Sequence, residues 1–430
     1  MKGVFVAVSA IVLLIVLMVA TSNRKAAPGA GAIETAPHAP VEGPHPSFLY
    51  GRVRTLDGST YEGRLRWGGE EEAFWGDYFN GVRKGNSWVA QVPLGRLPKR
   101  SEPIELFGLE IARRERPIAP GRMFLARFGD LARIEARGTN VEVTLKSGTA
   151  FLLARSEASD LDDGVRVWDR NDGIVDLDSL RIQSIELLES PAQGATTPDR
   201  LFGTVHASVG EFTGFVSWEK EQSLGSDELV VGDVKLRFET IRSIQRKLGE
   251  TAEAMLSDGR KLAFSSGLLT GRGIYVDDER YGRVLVSREA FQSVEFSRTA
   301  RGGPGYGDFH IGGPLSGTVT TRDGRALSGR LVYDLDESES TETLDAPSQG
   351  VNFNVPFGQI ASIALPEAAQ RGAQRAAVTL HSGERMELEC SGDLGEGNAG
   401  ILVFGVGLPQ QPAYVPWSDV ERIALHPQQR

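Results

Sequence analysis

The chain contains very little cysteine and histidine, and each scarcity excludes a kind of site. Cys390 is the only cysteine among 430 residues, so no disulfide can form within the chain. It ends the alternating apolar run Met386, Leu388, Cys390, a pattern that predicts a small buried core residue. The six histidines are scattered, and no two stand at metal-ligand spacing. We therefore predict no metal site, and no motif points to a bound cofactor.

An excess of positive charge and long apolar helical stripes are also missing. The formal net charge is -10 and the isoelectric point is about 5.3, which argues against a nucleic-acid partner because such a surface repels phosphates. Glycine, by contrast, is abundant at 51 residues, which favours β-structure over helix. A chain of this length has room for roughly two to four domains. The composition therefore predicts an all-β protein of several domains.

One hairpin pattern occurs three times along the chain. Glycine, valine, a turn, glycine and an aromatic residue follow in the same order in residues 51–67, 203–218 and 317–333. Apolar or small residues alternate with polar ones in each copy, and this period of two is typical of a half-buried strand. Glycine supplies the positive φ that each tight turn needs, at Gly58, Gly210 and Gly324. Each copy is therefore predicted to be a β-hairpin.

Two further patterns accompany these hairpins. An apolar triplet closes each copy, with its members three residues apart: Phe128, Leu131, Ile134; Phe238, Ile241, Ile244; and Phe357, Ile360, Ile363. This spacing predicts one short helical turn that leads into a last strand. A second hairpin pattern alternates with the first, in residues 143–153, 254–264 and 378–388. A hairpin, further strands, a turn and a closing strand together predict a small barrel for each repeat.

The repeats group into three pairs. Few residues separate a repeat from its partner, whereas polar or Gly/Pro-rich linkers separate the pairs, which we place at residues 48–188, 200–296 and 314–426. We call the two members of a pair the leading and the following repeat. In its Gly-x-Val, Asp-Gly, Gly-x-Leu-x-Trp and closing-triplet motifs, the chain resembles tandem SH3-like small β-barrels, as in paired repeats of exported bacterial proteins of no assigned function. A six-bladed β-propeller is the alternative.

The amino terminus carries a long apolar run. Residues 4–20 are apolar or small, and residues 1–22 are predicted to form a hydrophobic helix that acts as a signal anchor or a signal peptide. Residues 23–47 are rich in proline, alanine and glycine and are predicted to form a semi-extended linker. Both alternatives send the rest of the chain out of the cytoplasm. We expect a protein on the periplasmic side that its helix anchors to the inner membrane.

Two segments of the sequence are strongly acidic, and the first of them could form either β-turns or a calcium site. Residues 160–178 hold a dense group of aspartates, and calcium takes about six to eight oxygen ligands. The spacing matches no calcium-loop motif, and β-turns also select Asp, Asn and Gly, so turns are the favoured interpretation and calcium is the alternative. Residues 334–343, DLDESESTET, are predicted to form a solvated hairpin loop.

An insertion distinguishes the first leading repeat from the other two. Far more residues separate Trp67 from Phe128 than separate the corresponding residues of the other leading repeats, and we place the insertion at residues 69–122. Aromatic residues with a polar rim are typical of surfaces that bind proteins or sugars. The candidate binding residues are Trp75, Asp77, Tyr78, Phe79, Asn80 and Trp88. The alternative is a small core that packs the insertion onto its own barrel.

These residues point to binding rather than to catalysis. No nucleophile, base and orienting group occur together, so no catalytic residue is predicted. The sequence favours a non-catalytic, envelope-associated binding or scaffolding protein whose partner is another envelope protein or a surface polymer. The alternative is an extracytoplasmic carbohydrate-binding protein or a hydrolase that uses insertion carboxylates such as Glu71 and Asp77, since paired acids hydrolyse glycosides. The oligomeric state is left open.

Overall fold

A computed structural model shows the fold of the protein. It describes residues 46–68, 71–93, 95–97, 99–106, 109–117, 123–157, 164–191, 200–219, 222–231, 234–247, 251–264, 273–297, 303–367, 375–405 and 411–427. The helix predicted for residues 1–22 lies outside this part of the chain, as does the predicted linker up to residue 45. Residues 160–163 of the Asp-rich segment lie outside it as well.

Every pair is built of β-strands. The strands of the first pair are β1 (Tyr50–Thr55), β2 (Thr60–Trp67), β3 (Tyr78–Val82), β4 (Lys99–Leu106), β5 (Leu109–Pro117), β6 (Met123–Arg127), β7 (Leu131–Arg137), β8 (Asn140–Leu145), β9 (Ala150–Ala154), β10 (Val165–Asp169), β11 (Gly173–Leu177) and β12 (Ile182–Leu187). Those of the second pair are β13 (Phe202–Ala207), β14 (Gly210–Trp218), β15 (Glu228–Val231), β16 (Val234–Arg237), β17 (Ile241–Arg246), β18 (Ala252–Leu256), β19 (Lys261–Phe264), β20 (Ile274–Asp278), β21 (Gly282–Val286) and β22 (Phe291–Phe296).

The third pair repeats the strand order of the second and lacks counterparts of β4 and β5 among its described residues. Its strands are β23 (Ser316–Thr321), β24 (Ala326–Val332), β25 (Thr343–Ser348), β26 (Val351–Pro356), β27 (Ile360–Ala364), β28 (Arg375–Leu380), β29 (Arg385–Glu389), β30 (Ile401–Phe404), β31 (Ala413–Val415) and β32 (Val420–Leu425). Short 3-10 helices lie at Val89–Gln91, Phe128–Asp130, Arg155–Glu157, Ser179–Arg181, Phe238–Thr240, Tyr306–Asp308, Phe357–Gln359, Gly392–Leu394 and Trp417–Asp419. The all-β class and the repetition predicted from the sequence are confirmed.

Local sequence explains these elements well. In β8, Val141, Val143 and Leu145 are buried and the residues between them are half-buried, as the period of two requires. The short helical turn predicted from each closing triplet is also confirmed. It is the 3-10 helix that starts at Phe128, Phe238 or Phe357 and runs directly into β7, β17 or β27.

Strand pairing links the two repeats of a pair rather than closing each repeat on itself. In the first pair, β1 of the leading repeat pairs with β12, the closing strand of the following repeat. Likewise β8 of the following repeat pairs with β7, which closes the leading repeat, and the two closing strands pair with each other. The second and third pairs have the same exchange. A repeat is therefore incomplete without its partner.

Closed barrels and propeller blades both differ from this arrangement. Among the described strands, the large sheets run in the orders β11-β10-β2-β1-β12-β7-β8-β9, β19-β18-β17-β22-β13-β14-β20-β21-β26-β25 and β29-β28-β27-β32-β23-β24-β30-β31. None of these sheets closes into a ring. Nor does the pairing divide them into four-stranded blades, the unit that a propeller needs. A period-two pattern predicts a strand but not its partner, so the sequence did not predict that strands exchange between neighbouring repeats.

Close approach between repeats explains the glycine of the Gly-x-Leu-x-Trp motif. A Cβ atom on Gly63 of β2 would lie 1.9 Å from the carbonyl oxygen of Trp168 in β10. On Gly214 of β14 it would lie 2.1 Å from the carbonyl oxygen of Asp277 in β20. No side chain fits at either distance, so glycine is required where the hairpin of one repeat crosses the second hairpin of the other.

The described residues form two large hydrophobic cores and a small one. β21 of the second pair pairs with β26 of the third, so one sheet and one core run through both. The first pair has a core of its own, which Phe309 from the segment before β23 completes. Gly129 lies against the Phe309 ring. A Cβ atom on Gly129 would lie 2.2 Å from Cε1 of this ring, so no side chain fits there. Trp75 and Trp88, two of the residues predicted for binding, lie where the first pair contacts the other two.

Candidate functional site

The same loop follows the second strand of the leading repeat in every pair. Its first turn is closed by an isolated bridge between Trp67 and Glu71, Trp218 and Gln222, or Tyr333 and Glu337. A carboxylate oxygen a few residues later accepts two backbone N–H groups: Asp77 from Glu72 and Ala73, Asp227 from Ser223 and Leu224, and Glu342 from Ser338 and Glu339. Asp77 therefore caps a repeated loop. Aligning the three loops in the sequence would have found this role.

The predicted binding residues differ in their exposure. Tyr78 and Phe79 are only 3% and 0% exposed, and the Phe79 ring packs edge-on against Trp67 with ring centroids 5.7 Å apart. Trp75, Asp77, Asn80 and Trp88 are half-buried. Tyr78, Phe79 and Asn80 lie on β3, which pairs with β6 as β15 pairs with β16 and β25 with β26. The predicted insertion thus includes a hairpin strand common to all three pairs, and the added residues lie between β3 and β6.

Trp75 and its neighbours contact the second pair of the same chain. The Trp75 indole Nε1 donates to the carbonyl oxygen of Asp277 at 3.4 Å, and Arg200 Nη2 donates to the carbonyl oxygen of Trp75 at 2.9 Å. Arg283 donates to the carbonyl oxygen of Gly76. We call these five residues, Trp75, Gly76, Arg200, Asp277 and Arg283, the joint. It connects the first pair to the second.

Two features show that the joint is closely fitted. Gly76 has a φ of +101°, and a Cβ atom there would lie 2.5 Å from Asp277 Oδ2. The Arg283 guanidinium lies over the Tyr78 ring, 4.4 Å from its centroid, and its Nε is 3.4 Å from Asp277 Oδ1. Backbone geometry and stacked cations therefore determine how the first and second pairs meet here.

Burial makes the charges of the joint depend on one another. The side chain of Asp277 is 2% exposed, and this desolvation raises the pKa of its carboxyl although Arg283 and Arg200 act to lower it. Desolvation also lowers the pKa of the Arg200 guanidinium, against the attraction of Asp77 and Asp277. Asp277 Oδ2 and Arg200 Nη1 are buried without a hydrogen-bond partner among the described residues. In the joint, the buried carboxylate of Asp277 and the guanidinium groups of Arg200 and Arg283 therefore compensate each other's charge.

Trp88 lies in the segment between β3 and β6, and this segment packs on the third pair. The Trp88 ring meets Phe404 edge-on at 5.9 Å between centroids, and the Arg330 guanidinium lies 5.2 Å from the Trp88 ring centroid. Asn86 Nδ2 donates to the carbonyl oxygen of Leu335 at 2.7 Å. A small core forms around them from Val92, Leu97, Val332, Leu335, Ala399 and Leu402. The alternative predicted from the sequence is a small core that packs the insertion onto its own barrel, whereas the core around Trp88 lies at the contact with the third pair.

Arg83 enters the third pair at the start of this segment. Its guanidinium donates to Asp336 Oδ1 at 2.8 Å and to Glu342 Oε1, and its side chain is 8% exposed. The Phe151 ring covers it, with its centroid 4.6 Å away. One buried cation thus joins two carboxylates of the third pair to the first pair.

The solvated loop predicted for residues 334–343 is therefore wrong. Asp336, Ser338, Glu339, Ser340 and Glu342 are each at most 5% exposed. The run is buried because it forms the repeated loop, whose backbone N–H groups Glu342 caps, and because Arg83 of the first pair compensates its charge. Sequence reasoning missed it because the compensating cation lies far away along the chain.

Carboxyl groups of this loop have strongly perturbed acidity. Burial raises the pKa of Asp334 to about 8, although the Ala399 N–H donates to its Oδ1 and acts to lower the pKa. Burial also raises the pKa of Asp336 and that of Asp393 to about 7, and it raises the pKa of Glu337 well above its usual value, with the neighbouring carboxylates adding to the effect.

The Asp334→Asn variant tests this titration. Asparagine keeps the acceptor oxygen for Ala399 and tolerates the φ of +51°. The carboxyl is protonated more easily in the folded than in the unfolded chain, so its contribution to stability is complete below about pH 4 and is lost as the pH rises through 8. We expect the stability advantage of the variant over the wild type to grow from pH 5 to pH 8, by at most about 1.4 kcal/mol per pH unit.

Chemical denaturation at each pH measures this difference. The control is Asp258→Asn, whose exposed carboxyl has a lowered pKa because the Arg260 backbone N–H donates to it and its side chain pairs with it. That variant should show no such gain. Parallel pH profiles for the wild type and Asp334→Asn would contradict the assignment.

The described Asp-rich turns use their carboxylates as caps. Asp169 Oδ1 accepts the N–H groups of Asn171 and Asp172 at 2.7 and 3.0 Å, and Asp178 Oδ1 accepts that of Leu180 at 2.7 Å. Asp176 pairs with Arg166, and the exposed pair lowers the pKa of its carboxyl. These contacts are those of β-turns and of a short helix end.

An open groove of about 710 Å³ lies on the second pair, outside the joint. Its lining is mostly polar and comes from β13, β17 and β22 and from residues next to these strands; it includes His206, Gln245, Lys247, Glu289 and Gln292. Lys247 donates to Gln245 Oε1 at 2.6 Å on its wall. The groove offers hydrogen-bonding groups to a polar ligand.

Within the described residues, no group of three or more His, Cys, Asp or Glu side chains is placed to hold a metal ion. No helix in that part of the chain has the length and hydrophobicity of a membrane span. Comparison with protein-family models, with curated proteins and with solved structures finds no match to this chain.

Proposed function

We propose that the chain is a non-catalytic binding or scaffolding protein of a bacterial envelope, built of tandem repeats that carry the motifs of SH3-like small β-barrels and exchange strands within each pair. The observation that supports it best is that aromatic residues of the predicted contact surface connect the three pairs to one another. Trp75 and Trp88, which the sequence offers as part of a contact surface, hold the first pair against the second and the third, and Asp77 caps the loop that carries Trp75. A body braced in this way presents its sheet edges and grooves in fixed positions, as a scaffold must.

The location proposed for this scaffold is the periplasmic side of the inner membrane. It rests on the apolar run of residues 4–20, which is typical of a signal anchor. Protease added to spheroplasts should digest the chain while a cytoplasmic marker stays intact. Digestion only after lysis would contradict export.

A polar groove on the second pair is the contact surface that we propose for another envelope protein or a surface polymer. Its lining carries amide, hydroxyl and imidazole groups together with Lys247 and Arg246. This observation also favours the alternative of a carbohydrate-binding protein. The alternative of a hydrolase that uses Glu71 and Asp77 is less favoured, because an oxygen of Asp77 already accepts two backbone N–H groups.

Site-specific photo-crosslinking tests the groove in the intact envelope. A photoreactive residue at Gln292, which is exposed on the groove wall, should give an adduct with a partner protein or polymer. The matched control is Gln183, the exposed second residue of β12, which holds the corresponding position in the first pair. Adducts of equal yield at both positions, or none at Gln292, would contradict this binding site.

A further inference from the structure

Strand β11 is an exposed sheet edge. It ends the sheet of the first pair, and no described strand pairs with its outer side. Ile174, the second residue of β11, is 60% exposed, and Asp172 and Asp176 are exposed on either side of it. An exposed edge of this kind offers unpaired N–H and C=O groups to an added strand.

The equivalent edge in the second pair is covered by another pair of the same chain. β21 corresponds to β11: both begin with a glycine of positive φ, Gly173 or Gly282, after a turn that Asp169 or Asp278 caps. β26 of the third pair lies antiparallel along β21, with Val284 opposite Phe353. Both of these side chains are at most 3% exposed. This fold therefore joins two pairs by adding the second hairpin of a leading repeat to such an edge.

The second pair has a hairpin of the same kind that makes no such contact. β15 and β16 correspond to β25 and β26, because the 3-10 helix that starts at Phe238 or Phe357 follows directly. They form a sheet of two strands that no other described strand joins. Val230 and Val234 on it are 54% and 42% exposed. The chain thus carries both halves of this contact, unjoined to each other.

The register of the existing contact fixes the register of the missing one. Arg283 lies opposite Asn354, and these correspond to Ile174 and Lys235. In this register Val175 would lie opposite Val234, an apolar pair that corresponds to Val284 and Phe353. Asp172 would lie opposite Arg237. The two exposed edges are therefore complementary in charge, and opposite charges stabilise a cross-strand pair.

We propose that β11 of one copy of this chain pairs antiparallel with β16 of a second copy. Each copy offers one β11 edge and one β16 edge, so the contact is head to tail and continues until a ring closes or a filament forms. Main-chain hydrogen bonds supply affinity, and the Asp172–Arg237 and Val175–Val234 pairs set the register. The inference is independent of the proposed location and of the proposed groove.

Charge reversal tests the contact on the full-length chain. Sedimentation velocity in mild detergent over a range of concentrations should show concentration-dependent association of the wild type. Asp172→Arg alone and Arg237→Asp alone should each weaken association about tenfold, and the double variant should restore it. Both side chains are exposed, so the fold tolerates the changes, which circular dichroism checks. A wild type that stays monomeric, or a double variant weaker than the single ones, would overturn the proposal.

Disulfide trapping tests the register. Cys390→Ser removes the native thiol, and Ile174→Cys and Lys235→Cys are introduced into separate chains. A mixture of the two should form a disulfide-linked dimer, because facing residues of paired strands have Cβ atoms about 5 Å apart. The control replaces Lys235→Cys by Lys261→Cys on β19, another exposed edge strand. Equal trapping with the control would show random collision and would overturn the assigned edges.

Discussion

The Arg83→Met variant is expected to lose about 3–5 kcal/mol of the free energy of unfolding. Methionine keeps much of the apolar volume beside Phe151 but leaves Asp336 and Glu342 buried without their cation. An uncompensated buried charge destabilises a protein far more than the loss of a surface pair. Chemical denaturation followed by tryptophan fluorescence measures the loss.

The matched control for this variant is Arg52→Met. Arg52 also pairs with two carboxylates, Glu62 at 2.8 Å and Glu186 at 3.3 Å, but its side chain is 46% exposed. Water takes over the hydration of these groups, so the stability should stay nearly unchanged. Equal losses in the two variants would show that Arg83 does not act as a buried compensating charge.

The Asp277→Ala variant should be destabilised by about 3 kcal/mol or more, because Arg283 and Arg200 lose the carboxylate between them. The effect should concentrate at the contact between the first and second pairs. Limited proteolysis, with the first cut mapped by mass spectrometry, is expected to cleave the variant between these pairs sooner than the wild type. Asp258→Ala, at an exposed side chain, is the control.

A variant as stable as the wild type would contradict the joint. A stability loss with an unchanged cleavage pattern would also count against it, because the loss would then arise inside the second pair rather than at its contact with the first.

Local structure could be predicted from the sequence because it is encoded locally. Glycine at the turn and a period of two predicted the hairpins, such as β1–β2, and the closing triplets predicted the 3-10 turns before β7, β17 and β27. These signals depend on the conformation of a few consecutive residues.

Strand partners could not be predicted in the same way. The alternation in β1 is satisfied equally by a partner in its own repeat or in the next, and β12 of the next repeat is the partner. Gly63 is the residue that indicates the partner strand, because its backbone lies so close to the carbonyl oxygen of Trp168 that no side chain fits. In the sequence, however, it is one glycine among many.

The candidate site shows the same limit. Trp75, Tyr78 and Trp88 are residue types typical of a contact surface, and the sequence analysis predicted such a surface from them. It could not show that Arg200, Arg283 and Phe404 of the same chain meet them. An external partner for these residues stays a prediction.

The burial of the acidic run was beyond the sequence for a related reason. Polar composition predicts solvent exposure, whereas burial of residues 334–343 depends on caps within the loop and on Arg83 from the first pair. The pattern of charges along the sequence shows only neighbouring residues, so it could not predict that Arg83 pairs with Asp336 and Glu342.

The central claim is that residues predicted to be exposed to solvent instead hold the three pairs together, and amide hydrogen exchange over residues 334–343 tests it most directly. The N–H groups of Ser338 and Glu339 donate to Glu342, and that of Ser340 donates to the carbonyl oxygen of Gly313. We predict slow exchange in the wild type and much faster exchange in Arg83→Met. Exchange at the rate of an unstructured peptide in the wild type would contradict the account.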